Sequence, residues 1–163
     1  IHAAQVSAAD LPNTWTLLEI RCPIGCFETT VDQFRSQLGQ TINLGAAHGQ
    51  SSPIGACAFG KLHLALEEAS PKDVIKGMNE TLPPEAIDAN GRPLQFSQSN
   101  TGIGYSPFGE AQDRIKTGIL ECRDPQWQGK WEQRKRILSI DERRMVTLEE
   151  DGALAIYYHL PKP

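Results

Sequence analysis

Along residues 61–67 apolar and polar positions alternate strictly: Leu62, Leu64 and Leu66 point one way, and Lys61, His63, Ala65 and Glu67 the other. A period of two is that of a half-buried antiparallel strand. The alternation returns further on, where Ile115, Thr117, Ile119 and Glu121 interleave with Lys116, Gly118, Leu120 and Cys122 until Asp124-Pro125 breaks the run. Three more strands are predicted over Trp131–Ile140, Met145–Glu149 and Ala153–Leu160. Asp141–Arg144 joins the first two, and Glu150-Asp151-Gly152 joins the second two with the Asp-Gly pair that tight hairpins favour. This is a β-meander. In its last strand Leu154, Ile156, Tyr158 and Leu160 take one face, and Ala153, Ala155, Tyr157 and His159 the other.

The N-terminal half is more mixed. Residues 1–12 lack periodicity and read as a loose arm, which sets a single domain at 13–163. Asn13 to Arg21 is rich in strand formers, with Trp15 and Leu17 alternating against Thr16, Leu18 and Ile20. Thr30 with Gln33 three residues on forms a capping box, and Val31, Phe34 and Leu38 share a face ahead of Gly39, so a helix is expected over about 30–38. Thr41–Leu44 is a short strand and 45–55 a loop. Ser70-Pro71-Lys72-Asp73 opens a second helix, about 71–79, with Val74, Ile75 and Met78 as its apolar face. Residues 81–113, rich in Pro, Gly, Ser and Asn, are expected to be the most mobile third, with only Leu94 and Phe96 strand-like. The fold class is therefore mainly β, α+β at most: an antiparallel, barrel-like or strongly curved sheet with one or two short helices.

Composition narrows the class of function. The chain has 163 residues, 39% hydrophobic, and sixteen Lys and Arg against twenty Asp and Glu leave a net charge of −4. A chain of this length buries roughly 70% of the surface it exposes when unfolded, enough for one core. No run of about 18 apolar residues exists, which excludes a transmembrane helix, and the negative balance gives no footprint for nucleic acid.

Cys22, Cys26, Cys57 and Cys122 permit three disulfide pairings. Spacing favours Cys22 with Cys26, because Pro23 and Gly25 between them suit a tight turn, and leaves Cys57 for Cys122. Four free thiols in a reducing compartment are the alternative. A zinc site is not expected, since only one short-spaced pair exists and its spacing is wrong. Disulfides imply the periplasm or secretion. Ala3 and Ala4 suit the tail of a signal-peptidase site, or a chain shortened for another reason.

None of the familiar catalytic arrangements is present: no G-x-S-x-G elbow, no H-E-x-x-H and no phosphate loop. No cofactor, metal or catalytic residue is assigned. His48 with Ser51 or Ser52 is the one enzymatic arrangement kept in view. His63 and His159 read as solvated histidines, and Glu67-Glu68 and Glu149-Glu150 as solubilising edge charges. Arg134-Lys135-Arg136 and Arg143-Arg144 could meet across a hairpin as one basic rim, with Trp127 and Trp131 as interface anchors. The alternative is a charge-guarded edge strand with the tryptophans in the core.

With Trp15 in a first strand, a helix after it and a C-terminal meander ending Asp-Gly-Ala-Leu-Ala-Ile-Tyr-Tyr, the chain resembles lipocalin-like and META-like small bacterial β-domains over about 13–21 and 114–160. Asn13-Thr14-Trp15 lacks the glycine of the lipocalin G-x-W. The chain is also weakly similar to periplasmic β-barrel proteins that inhibit lysozyme-like hydrolases or give immunity to secreted ones. Those present Gly/Ser-rich loops to an active-site cleft, and residues 99–109 share that composition, although the inhibitors' recognition motif is not reproduced. The resemblance implies an exported inhibitor or immunity protein whose partner is a cell-wall hydrolase or secreted effector. It transfers no functional residue; loop placement alone makes Tyr105 and Phe108 the expected anchors and Ser106 a polar contact, and the charge concentration adds Arg134 and Arg136 as part of the rim. A lipocalin-like carrier of a small apolar ligand is the alternative.

Overall fold

The computed structural model describes residues 5–6, 11–44, 61–123 and 131–161. Among them the sheet has eight strands: β1 (Gln5–Val6), β2 (Thr14–Arg21), β3 (Thr41–Asn43), β4 (Lys61–Ala69), β5 (Ile115–Arg123), β6 (Trp131–Ile140), β7 (Arg144–Leu148) and β8 (Leu154–Tyr158). Their spatial order is β1-β4-β5-β6-β7-β8-β2-β3, every neighbouring pair is antiparallel, and the sheet curls into a half-barrel. The predicted meander is its centre. At the β7–β8 turn Glu149 N–H donates to Ala153 O at 2.8 Å, and Asp151 (φ 64°) and Gly152 (φ 72°) take the left-handed conformation that made Asp-Gly a turn signal. At the β6–β7 turn the Asp141 carboxylate accepts from the backbone N–H groups of Arg143 and Arg144, both at 2.8 Å.

Both faces of the sheet are covered at β8, which is buried along nearly its whole length. One cluster gathers Trp15, Leu17, Ile42, Leu66, Leu120, Ile137, Met145 and Tyr157, reaching from β4 across to β3 as the concave side of a curled sheet does. On the other face Leu138, Val146, Leu154 and Ile156 pack against Val74, Met78, Phe96 and Ile103. Irregularities in the pairing of β6 let Ile137 and Ile140 serve the concave cluster while Leu138 serves the other.

Helix α2 (Pro71–Glu80) starts as expected, with the Ser70 hydroxyl accepting from Asp73 N–H at 3.2 Å. Helix α1 differs. It runs Glu28–Arg35, earlier than 30–38, its N-cap is Phe27, and Thr30 lies inside it without capping. Phe27 N–H is bonded to the Asp151 carboxylate on the β7–β8 turn, and Cys22 is joined to Cys26 just before it. These tertiary ties set where the chain enters the helix and override the local capping box.

Two further corrections concern the irregular parts. The N-terminal arm contributes β1, paired to β4 through Gln5↔Glu67 and Val6↔Leu66. Within 81–113, which is otherwise mostly exposed, residues 96–104 are packed against the sheet. Asn79 brackets Phe96, donating to its carbonyl at 3.0 Å and accepting from its N–H at 2.7 Å, and α3 (Gln98–Thr101) follows with a reciprocal Ser97–Asn100 capping box. Leu94 and Phe96 belong to no strand. The buried side chains of Phe96 and Ile103 fasten this segment to the second cluster.

Candidate functional site

Residues 104–112 fold back as a small hairpin. Ser106 N–H donates to Glu110 O at 2.7 Å and Gln112 N–H to Gly104 O at 2.8 Å, and Tyr105 bridges Ala111. The Ser106 hydroxyl accepts from the N–H groups of Phe108 and Glu110, both at 3.2 Å, so it shapes the tip while its own O–H is left to donate. Pro107, Phe108 and Gly109 form that tip, and Phe108 is 69% exposed. The β6–β7 turn braces it: the Arg143 guanidinium lies 4.6 Å from the centre of the Phe108 ring, and Arg144 donates to the Tyr105 carbonyl. Tyr105 itself is half-buried.

The basic residues do not form one rim. Arg136 opposes Leu148 at one end of the β6–β7 hairpin, whereas Arg143 and Arg144 lie at its other end. Residues alternate along β6, so Arg134 and Arg136 also leave the sheet on the face opposite Lys135. Arg134 is bonded to Glu121 at 3.1 Å. Of the other expected site residues, Trp127 and Cys57 lie outside the described residues, as do His48, Ser51 and Ser52; the side chains of Trp131 and Cys122 do as well. The Cys22–Cys26 disulfide is present, with Cα atoms 5.6 Å apart. His159 is half-buried, its Nδ1 2.9 Å from Thr14 O in an exposed hydrogen bond and its ring edge-on to Trp15; three strands separate β4, which holds His63, from β8.

Sequence reasoning missed a polar cluster inside the curl. Glu149 is buried rather than an edge charge; its carboxylate is bonded to the Lys135 ammonium and accepts from the Thr147 hydroxyl at 3.1 Å. Beside it stands Tyr157, fully buried, whose hydroxyl makes no hydrogen bond of normal geometry among the described residues. Burial pushes the Tyr157 phenol far above its ordinary range, the Glu149 carboxylate pushes the same way, and the Thr147 hydroxyl offsets a little. Through these contacts the cluster ties β6, which carries Lys135, to β7 with Thr147 and to β8 with Tyr157. The alternation of Glu149 with Leu148 was the available signal, since it places Glu149 on the Thr147 face.

Comparisons with family models, with curated proteins and with solved structures find no match.

Proposed function

We propose that the domain is an exported or periplasmic binding protein that inhibits, or gives immunity against, a cell-envelope hydrolase, and that the hairpin around Phe108 is what it inserts. The observation that carries the reading is an exposed aromatic ring on a tip whose backbone is fixed by the Ser106 hydroxyl and braced by Arg143 and Arg144. Preorganisation of this kind lowers the ordering cost of binding, and aromatic residues, Phe included, and Arg are enriched at protein interfaces. The guanidinium over the ring also selects the partner. Glycan hydrolases place two carboxylates across their cleft, and a tip carrying an apolar ring and a positive charge is complementary to it. The Cys22–Cys26 disulfide supports an oxidising compartment.

The likeness to lipocalin-like and META-like domains is part of the same proposal, supported by the curled antiparallel sheet. A carrier with its ligand inside the curl is supported less well, because Trp15, Leu17 and Tyr157 fill that face. The test is inhibition of peptidoglycan hydrolysis by Phe108→Ala and Arg143→Ala beside the parent protein. A loss of affinity of roughly thirtyfold or more for Phe108→Ala is expected, since truncated hot spots cost about 2 kcal/mol or more. Equal inhibition by parent and Phe108→Ala would remove the hairpin from the reading.

A further inference from the structure

Among the described residues, α2 roofs only part of the convex face of the sheet. Beside that helix, over β4, β5 and β6, lies a groove of about 640 Å³. Ala65, Thr117 and Ile119 line it from the sheet, Asp73 and Val74 from α2, and Arg134 and Arg136 from β6. Register explains the grouping: Ala65 opposes Ile119 and Ile119 opposes Arg136, so all three leave the sheet on one face.

The two arginines differ. Arg134 is bonded to Glu121. Arg136 is half-buried and has no ion pair among the described residues, and its guanidinium rests against α2 at Gly77, where a Cβ would stand 2.9 Å from Nη2. Glycine is a poor residue for a helix interior, and here it makes room for the cation. A partly desolvated guanidinium without a counter-ion, beside an apolar floor, matches the planar fork of a carboxylate. Glu67 and Asp73 also line the groove; both are exposed, so water screens them, yet they disfavour a second negative charge on the ligand.

We propose that this groove binds a small organic monocarboxylate with an apolar body, the carboxylate on Arg136 and the body over Ala65 and Ile119. The site is separate from the Phe108 hairpin, and its failure would leave that reading untouched. The experiment is an amide NMR titration with 4-phenylbutyrate, 4-phenylbutanol and 4-phenylbutylamine, which share a body and differ in headgroup charge. Saturable shifts at Gly77, Gly118 and Ile119 are expected with the carboxylate, and binding of the alcohol and amine weaker by about tenfold or more. Arg136→Gln should weaken the carboxylate by a similar factor. Ala65→Phe, at an exposed position, should fill the groove and abolish binding with Arg136 in place; it decides the matter if Arg136→Gln does not fold. Shifts that fail to saturate or fall elsewhere, an amine that binds as tightly, or undiminished binding by Ala65→Phe would each overturn the proposal.

Discussion

The buried pair of Lys135 and Glu149 gives the sharpest test of how the curl is held. The two ends are unequally desolvated, with the side chain of Lys135 19% exposed and that of Glu149 at 0%. Lys135→Met therefore leaves a fully buried carboxylate with the Thr147 hydroxyl but without its cation, and the loss is expected at the upper end for a broken buried pair, about 5 kcal/mol. Glu149→Leu leaves an ammonium on a flexible stem that can turn outward, so about 3 kcal/mol is expected. The double variant removes both charges and keeps apolar volume; it should lose far less than the sum of roughly 8 kcal/mol, and an outcome near the parent's stability is consistent with what such replacements do. Urea unfolding followed by tryptophan fluorescence supplies the four stabilities, with unchanged slopes as the check on two-state behaviour. Single losses below about 1 kcal/mol, typical of solvated surface pairs, would refute the argument, as would a double variant that loses the full sum.

Two other outcomes follow from the same packing. The folded-state pKa of Tyr157 stands above its unfolded value near 10, so the stability tied to the neutral phenol is complete below that pH. It drains away as the pH rises further, at up to about 1.4 kcal/mol per pH unit. Of the three tyrosines, one should therefore form phenolate only on unfolding, and Tyr157→Phe should flatten the alkaline slope of stability; a smooth titration of all three in the folded protein would contradict this. Gly118→Ala places a Cβ 1.9 Å from the Ala65 carbonyl oxygen, which forces β4 and β5 apart. A loss of about 3 kcal/mol is expected in the same unfolding assay, and less than about 1 kcal/mol would show that the strands are not held so close.

The strands were legible wherever local pattern and tertiary role agreed. Strands β4 to β8 showed their period because each turn between β6, β7 and β8 carried its own signal, Asp141 in one case and Asp151-Gly152 in the other. Ser70 and Pro71 announced α2 for the same reason. What escaped was decided by distant contacts. Phe27 begins α1 because Asp151 lies beside it, and residues 96–104 are fastened by Asn79 and by burial of Phe96 and Ile103, none of which a local window contains. The polar composition around Ser106 pointed to a loop, as expected; that its hydroxyl turns inward to fix Phe108 depends on the hairpin it closes. The charged residues misled most. Glu149 sits in a run that looks like a solvated turn, and the five basic residues of β6, β7 and the turn between them fall at opposite ends of a hairpin and on two faces of a strand.

The measurement closest to the central claim is a titration of the parent protein into a panel of peptidoglycan hydrolases, muramidases first, with the rate of cell-wall clearance as readout. The account expects stoichiometric inhibition of at least one enzyme, lost when Phe108 is replaced by Ala. A panel that runs at full rate in the presence of excess protein would contradict it.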